Sequence, residues 1–405
     1  MSLALRSCVV LLAAATVAST ADPDAQELFR RVRARVLDDT SHVPRYTCVQ
    51  TVDRAQYRPQ YAARPTSCEA MIAARKQLIS PGYLFWRDRL RLDVAVIDGA
   101  ETYSWAGARQ LETSHVDDLV RSGATGSGEF VAFLLSVFGG DADAISYLGQ
   151  ASFAFNVPLA RSHYTYHSRG PDRTTGYRGS FLVDPATAEL KQLIIVADQF
   201  PAGEEEACRV EDTMDYHRVK IGNGDFPLPE VAKMDVLYNS GTESVNETHY
   251  SDCHEYTGES TIRFDDDTGF APNAAAPNAA PTPPRPLPPG LRFRIGLASP
   301  IHSRTAAAGD AITGVVLHDV KERKLGVVAR ENDVVHGRIL QLEQRMLPFP
   351  RWTLAIRFDT LEHNGAEQPL ALKSRGTGNR DGVFIFEQAG DIAIDRSFHS
   401  EWETR

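Results

Sequence analysis

Residues 89–105 (RLRLDVAVIDGAETYSW) contain the pattern that decides the fold. Along the first half, apolar residues occupy every second position and alternate with charged or small ones. A period of two is typical of a β-strand with one buried face and one solvent-facing face. Asp98-Gly99 has the composition of a two-residue hairpin turn and leads into a second strand, 101–105. The stretch therefore predicts two antiparallel strands that share a core-facing side.

The same pattern recurs along the first two-thirds of the chain. Residues 179–183 and 190–196 flank the turn Asp184-Pro185-Ala186-Thr187, and further strands are predicted at 208–220, 230–239 and 245–256. Ahead of the strands, Leu28, Val32 and Val36 recur at helical spacing, so a helix begins near Asp22 or Asp24. We expect arginines on this helix to face outward, namely Arg30, Arg31, Arg33 and Arg35.

An Ala/Pro-rich segment, residues 270–289, divides the chain. Its many fixed φ angles favour an extended spacer over packing. We therefore predict a signal peptide at 1–21, a curved-sheet domain at 22–269, a linker at 270–289 and a second domain at 290–405. The second domain also shows β alternation, for example at 351–358, and is expected to be a small β-barrel or sandwich.

The first 21 residues predict export. Arg6 is followed by an apolar run, residues 9–18, and by small residues ending at Ala21. This order is typical of a secretory signal peptide cleaved between Ala21 and Asp22, and the run is shorter than the about 20 residues that span a membrane. The expected location is periplasmic or secreted, with no spanning segment in the mature chain. The net charge of −10 argues against nucleic acid or anionic membranes as partners.

Four cysteines follow the leader: Cys48, Cys68, Cys208 and Cys253. An even number in an oxidising compartment predicts two disulfides. Three pairings are possible, and the sequence-local one, Cys48–Cys68 with Cys208–Cys253, is favoured. No C-x-x-C pair is present in the sequence, which argues against a structural zinc site.

Residues 129–138 (EFVAFLLSVF) are apolar on all sides at helical spacing. Such a helix is either buried in the core or packed on a ligand. Glycines flank it and could act as hinges for a lid: Gly123, Gly126, Gly128, Gly139 and Gly140. The candidate lid or cavity residues are Phe130, Phe133, Leu134 and Val137.

No catalytic or metal-binding motif in the sequence has the residue types and spacing that its chemistry requires. His163 and His167 lie four apart on a predicted strand, about 13 Å end to end, which is too far for one metal ion. Asp252 and His254 share a strand face, but the local sequence offers no nucleophile beside them, and a solvated polar face is the better interpretation. The sequence therefore predicts no catalytic residues, no metal and no cofactor.

The order of elements resembles the LolA-like lipoprotein-carrier superfamily. The resemblance covers residues 22–264 and is carried by the leader, the first helix, the strand at 46–52 (YTCVQTV) and the hairpin at 180–193 (SFLVDPATAELKQL). It implies a curved antiparallel half-barrel that packs around helices and holds acyl chains on its inner face. Segments 256–264 and 401–405 also resemble a group of uncharacterised secreted two-domain proteins of soil bacteria.

Three functional hypotheses follow. The first is an exported, non-catalytic cell-envelope protein that binds a lipid or lipoprotein acyl chain in an α+β, mostly β, N-terminal domain, with an envelope protein as a possible partner of the C-terminal domain. The second is a structural or interaction module whose spacer holds two recognition domains apart. The third is a hydrolase whose catalytic residues come from distant positions. A deep apolar cavity beneath residues 129–138 would favour the first.

Overall fold

The computed structural model describes residues 23–59, 65, 67–78, 82–108, 111–120, 122–166, 172–200, 207–256 and 287–405. The predicted signal peptide and residues 270–286 of the predicted linker lie outside the described residues. The chain is mostly β, as predicted. Among the described helices, none has the length and apolar content needed to span a membrane.

The N-terminal unit consists of helices set among antiparallel strands. The helices are α1 (Pro23–His42), α2 (Cys68–Lys76) and α3 (Ala132–Gly139). The strands are β1 (Tyr46–Arg58), β2 (Tyr83–Ile97), β3 (Ala100–Trp105), β4 (Ala144–Gly149), β5 (Ser152–Val157), β6 (Thr165–Tyr166), β7 (Arg173–Thr174), β8 (Tyr177–Val183), β9 (Leu190–Ala197), β10 (Ala207–Ile221), β11 (Gly224–Tyr238) and β12 (Glu243–Glu255).

One antiparallel sheet runs through this unit in the order β4–β5–β8–β9–β10–β11–β12–β1–β2–β3. Within the described residues it is not closed into a barrel. The predicted hairpins at 90–105 and 179–196 are both present. The inner face buries the predicted alternating set of β2: Leu90, Leu92, Val94 and Val96.

Helices α1 and α3 pack on the inner face of this sheet. Val32 and Val36 of α1 are buried there, in the same core as the apolar side of α3. The arginines of α1 that were predicted to face outward are exposed, apart from the half-buried Arg35, and three of them also hydrogen-bond neighbouring elements. Arg33 donates to the carbonyl of Phe138 at 2.7 Å, at the C-terminal end of α3, where a positive charge is favourable. Arg31 and Arg35 bond the β8–β9 hairpin.

The four cysteines form two disulfides, but the favoured sequence-local pairing is wrong. Cys48 bonds Cys253 and Cys68 bonds Cys208. Cys48 lies near the start of β1, whereas Cys68 follows the far end of that strand, and ten residues of strand span about 33 Å. Strands β1 and β12 are neighbours, with Thr47 opposite His254, so Cys48 and Cys253 meet across the ladder.

The C-terminal unit is a second antiparallel sheet around its own core. Its strands are β13 (Arg292–Leu297), β14 (Ile301–His302), β15 (Ala311–Val316), β16 (Val320–Glu322), β17 (Gly326–Ala329), β18 (Val334–Arg345), β19 (Arg351–His363), β20 (Ala366–Pro369), β21 (Leu372–Ser374), β22 (Gly382–Phe386), β23 (Ala393–Ile394) and β24 (His399–Thr404). The main order is β21–β24–β13–β15–β18–β19–β22. Its fully buried side chains include Phe293, Phe358 and Trp402.

The two units are in contact, so the expectation that a spacer holds them apart is wrong. The end of β18 pairs with β2, Glu343 opposite Asp88 and Arg345 opposite Trp86. Polar contacts flank this pairing, including the ion pair of Arg91 with Asp310. Strand β2 thus uses its first half for the C-terminal unit and its second half for β3.

Candidate ligand-binding groove

A groove of about 1560 Å³ lies on the inner face of the N-terminal sheet. Its floor comes from β10 and β11, and its walls from the N-terminal end of α3, the β6–β7 hairpin and residues 114–117 and 122–128. Many of its lining side chains are apolar or aromatic: Phe133, Tyr164, Tyr166, Tyr177, Phe200, Val210, Met234, Val236 and Tyr238.

Strand parity explains the floor of the groove. Inward positions of β10 are Val210, Asp212 and Met214, and the register places Asp212 opposite Met234 and Val210 opposite Val236 on β11. A strand sends alternate side chains to one face, so these residues share one surface. Asp212 is therefore an acid in an otherwise apolar row.

A strap crosses the inner face beside the groove. We use this name for residues 111–120 and 122–128. Its Ala124 carbonyl accepts hydrogen bonds from the Asn246 side-chain amide at 2.9 Å and from Arg54 Nη1 at 3.3 Å. Between strap and sheet lies a void of about 20 Å³, which is room for about one water molecule.

Arg54 and Asp88 form a buried ion pair under the strap. Their closest N–O distance is 2.6 Å, and their side chains are 2% and 6% exposed. Burial raises the pKa of Asp88, and the adjacent Arg54 guanidinium opposes that shift. The pair fixes the position of the Arg54 guanidinium, which in turn holds the strap.

Asp212 is the buried carboxyl on the groove floor, 9% exposed. It accepts a hydrogen bond from the Tyr164 hydroxyl at the long distance of 3.5 Å. Burial in protein raises the pKa of Asp212 to about 7, the Tyr164 hydroxyl opposes this, and the charges of Asp235 and Glu211 add to it.

Glu129 is a second carboxyl on the wall, at the junction of strap and α3. Burial raises its pKa to about 8, and the negative charge of Glu101 adds to the shift. Glu101 itself is better satisfied: it accepts bonds from the Tyr103 hydroxyl and from the backbone N–H groups of Gly128 and Phe130.

The predicted lid residues fall into two groups. Phe133 lines the groove and lies 5.9 Å, ring centre to ring centre, from Tyr164. Phe130, Leu134 and Val137 are buried in the core, with Phe130 against Tyr250 at 4.8 Å. Movement of α3 as a lid stays a prediction.

The other singled-out residues lie outside a common site. His254 is exposed on β12. Its ring hydrogen-bonds the Thr47 side chain and the backbone carbonyl of Asp252, not the Asp252 carboxylate. His163 is exposed at the rim of the groove, and His167 lies outside the described residues. The sequence reasoning missed Asp212 and Glu129, although an acid within the apolar alternation of β10 was the available signal.

Comparison with known proteins adds little to this geometry. No protein-family model and no curated protein matches the chain. A search of solved structures finds a crystal structure of a LolA superfamily protein from Nitrosomonas europaea. It is 12% identical, and the match covers 57% of this chain and 94% of that chain with a TM-score of 0.23. A likeness with so low a TM-score does not support an assignment of function.

Proposed function

We propose that the chain is an exported, non-catalytic protein that binds an apolar ligand, such as a lipid or acyl chain, in the groove of its N-terminal unit. One observation carries the proposal: a space of about 1560 Å³ on the open inner face of the sheet, whose lining includes nine apolar or aromatic side chains alongside polar ones. The two disulfides fit a periplasmic or secreted location.

The size and lining of the groove suit a long apolar molecule. Sites for drug-sized ligands are about 300–1,000 Å³, so this groove admits something larger. Burial of each CH₂ group contributes about 0.8 kcal/mol, which allows an acyl chain to bind without a catalytic or metal group.

A blocking substitution on α3 tests the proposal. Ala132 is exposed and lines the groove, whereas Leu135 is 46% exposed on the same helix but is not a lining residue. Ala132→Trp should fill the groove and weaken binding of diphenylhexatriene, a neutral fluorescent hydrocarbon, by about 10-fold or more, since tens of Å² of apolar contact are lost. Leu135→Trp is the matched control.

The measurement is a fluorescence titration of the wild type and both variants. Saturable binding that Ala132→Trp weakens and Leu135→Trp leaves unchanged supports the proposal. Equal binding by all three proteins places the probe elsewhere and contradicts it, as does the lack of saturable binding to the wild type.

A protein partner for the C-terminal unit is a second proposal, based on exposed apolar side chains. Phe349, between β18 and β19, is 74% exposed, and Ile385 on neighbouring β22 is 62% exposed. The register places Ile385 opposite Thr353, four residues after Phe349, and large exposed apolar side chains are candidates for an interaction surface. Cross-linking in intact envelopes should yield a discrete adduct that Phe349→Ser with Ile385→Ser abolishes and that Leu325→Ser, a change at another exposed site, preserves. An adduct insensitive to the double variant would contradict it.

A further inference from the structure

Two carboxyl groups face the proposed ligand site without a matching cation. Asp212 and Glu129 both line the groove, and within the described part of the chain neither forms an ion pair with Lys, Arg or His. Buried acids are ordinarily paired, because an isolated charge loses its hydration. A positively charged group bound at this place in the groove would therefore be stabilised by both acids.

The cations near this place do not pair with either acid within the described residues. Arg54, a buried cation under the strap, is bound to Asp88, and Lys233 on β11 pairs with Asp235. Glu101 is satisfied by three donors, and Asp117 on the strap accepts from Thr125. Arg173 and His163 also line the groove, but within the described residues neither forms an ion pair with Asp212 or Glu129, and His163 lies 4.0 Å from Asp141.

Hydrogen-bonding capacity at the same place is also unused. Asp212 offers two carboxylate oxygens and receives only the long bond from Tyr164, which in addition serves as an aromatic wall. A carboxylate accepts about four hydrogen bonds, so at least two are open to a ligand. Phe133, Met234 and Val236 provide the adjoining apolar surface.

We propose that the ligand is an amphiphile whose polar end is a protonated amine, bound by Asp212 with Glu129 beside it, and whose apolar tail lies along Phe133, Met234 and Val236. This inference rests on the proposed function and names the ligand class of the same groove. An anionic headgroup would meet two acids, whereas a protonated amine stabilises the ionised form of both.

Proton release accompanies this binding mode. The charged groups and the hydrogen-bonding tyrosine that share the groove or the adjoining void with Asp212 come from several elements: Tyr164, His163, Arg173, Glu129, His115, Asp117, Arg54 and Lys233. Asp235 on β11 and Glu211 on β10 also act on Asp212. Burial raises the pKa of Asp212 to about 7 and that of Glu129 to about 8, so part of each is protonated at neutral pH. A cation lowers both pKa values and expels protons.

The test compares ligands that share one tail. Dodecylamine, dodecanol and dodecanoate displace diphenylhexatriene from the full-length protein at pH 7.5. Dodecylamine should bind at least about 10-fold more tightly than dodecanol, as expected for a charge-assisted hydrogen bond in a desolvated site. Dodecanoate should bind most weakly of the three. Calorimetry in buffers of different ionisation enthalpy should show proton release for dodecylamine alone.

Substitutions assign the effect to the two carboxyls. Asp212→Asn keeps the shape of the side chain and should remove the preference for dodecylamine over dodecanol. Glu129→Gln should have a smaller effect in the same direction. Asp215→Asn is the control, because Asp215 is exposed on β10, where it bonds Gln192. Thermal unfolding confirms that each variant is folded.

The outcomes separate the two proposals. If the hydrocarbon probe binds and the three dodecyl ligands compete equally, or Asp212→Asn leaves the preference for the amine intact, the amine inference is wrong and the apolar groove stands. If the probe does not bind, the proposed function fails as well. If Asp212→Asn does not fold, the amine inference is tested with Glu129→Gln and with calorimetry of the wild type. Dodecylamine binding without proton release would then contradict the inference.

Discussion

Arg54 and Asp88 form the ion pair on which the strap depends. Because both side chains are almost fully buried, removal of one leaves the other charge uncompensated. Arg54→Ala should lower the free energy of unfolding by about 3–5 kcal/mol. The exposed pair of Arg45 with Asp98, at 2.9 Å, is the matched control, and Arg45→Ala should cost about 0–1 kcal/mol. Urea unfolding measures both, and equal losses would contradict the distinction.

Asp212 should also make stability pH-dependent. Its pKa is about 7 in the folded chain, and an unfolded Asp titrates near about 3.9. Between these values the folded protein holds a proton that the unfolded chain has lost, so raising the pH through this window lowers the free energy of unfolding, by about 1.4 kcal/mol per pH unit for one group. Glu129, with a pKa of about 8, extends the fall to higher pH.

Urea unfolding of the wild type between pH 5 and pH 9 should therefore show stability that decreases with pH. Asp212→Asn should flatten the curve between pH 5 and pH 7, because the amide has no proton to lose. Asp215→Asn should not. Parallel curves for wild type and Asp212→Asn would show that Asp212 does not titrate as described.

At the scale of the element, the strap depends on Gly123. This residue has a φ of +84°, and an added Cβ would lie 2.6 Å from the Trp86 ring and 2.9 Å from Arg54 Nη1. Gly123→Ala therefore combines backbone strain of about 1–3 kcal/mol with a clash at the site that holds the strap. We expect strap amides to exchange hydrogen at least about 10-fold faster while β10 and β11 stay protected.

Gly139→Ala is the control, since an added Cβ there meets no atom within 4 Å. Hydrogen exchange read by mass spectrometry distinguishes the two. Unchanged exchange of the strap in Gly123→Ala would mean that Ala124 is not anchored as the distances indicate.

The elements differ in how far the sequence could predict them. Alternation in β2 and β8–β9 was strong enough to place those hairpins, because each has one buried face. Helix α2 was missed, since its nine residues bury only Met71 and carry little periodicity. The predicted disulfide pairing was wrong because cysteines pair with those on neighbouring elements of the fold, not with those nearest in the sequence. Asp212 was not predicted as a groove residue, because strand alternation shows which face a side chain lies on but not whether a groove lies over that face.

At the scale of the molecule, the strand pairing of β18 with β2 and its flanking ion pairs should hold the two units together without the linker. A specific protease site inserted within residues 270–286 allows the chain to be cut there. The two fragments should co-elute in size-exclusion chromatography. Arg91→Ala with Arg338→Ala should weaken the association, because Arg338 donates to the Ala106 carbonyl across the interface. Separate elution of the wild-type fragments would contradict the docked arrangement.

Native mass spectrometry of the protein from its own source determines whether the groove holds an apolar ligand. We expect a protein that carries one stoichiometric molecule, released on denaturation and recovered by lipid extraction, with an amine among its ionisable groups. A protein whose native mass equals that of the mature chain with two disulfides, and which takes up none of the dodecyl ligands when they are added, would contradict it.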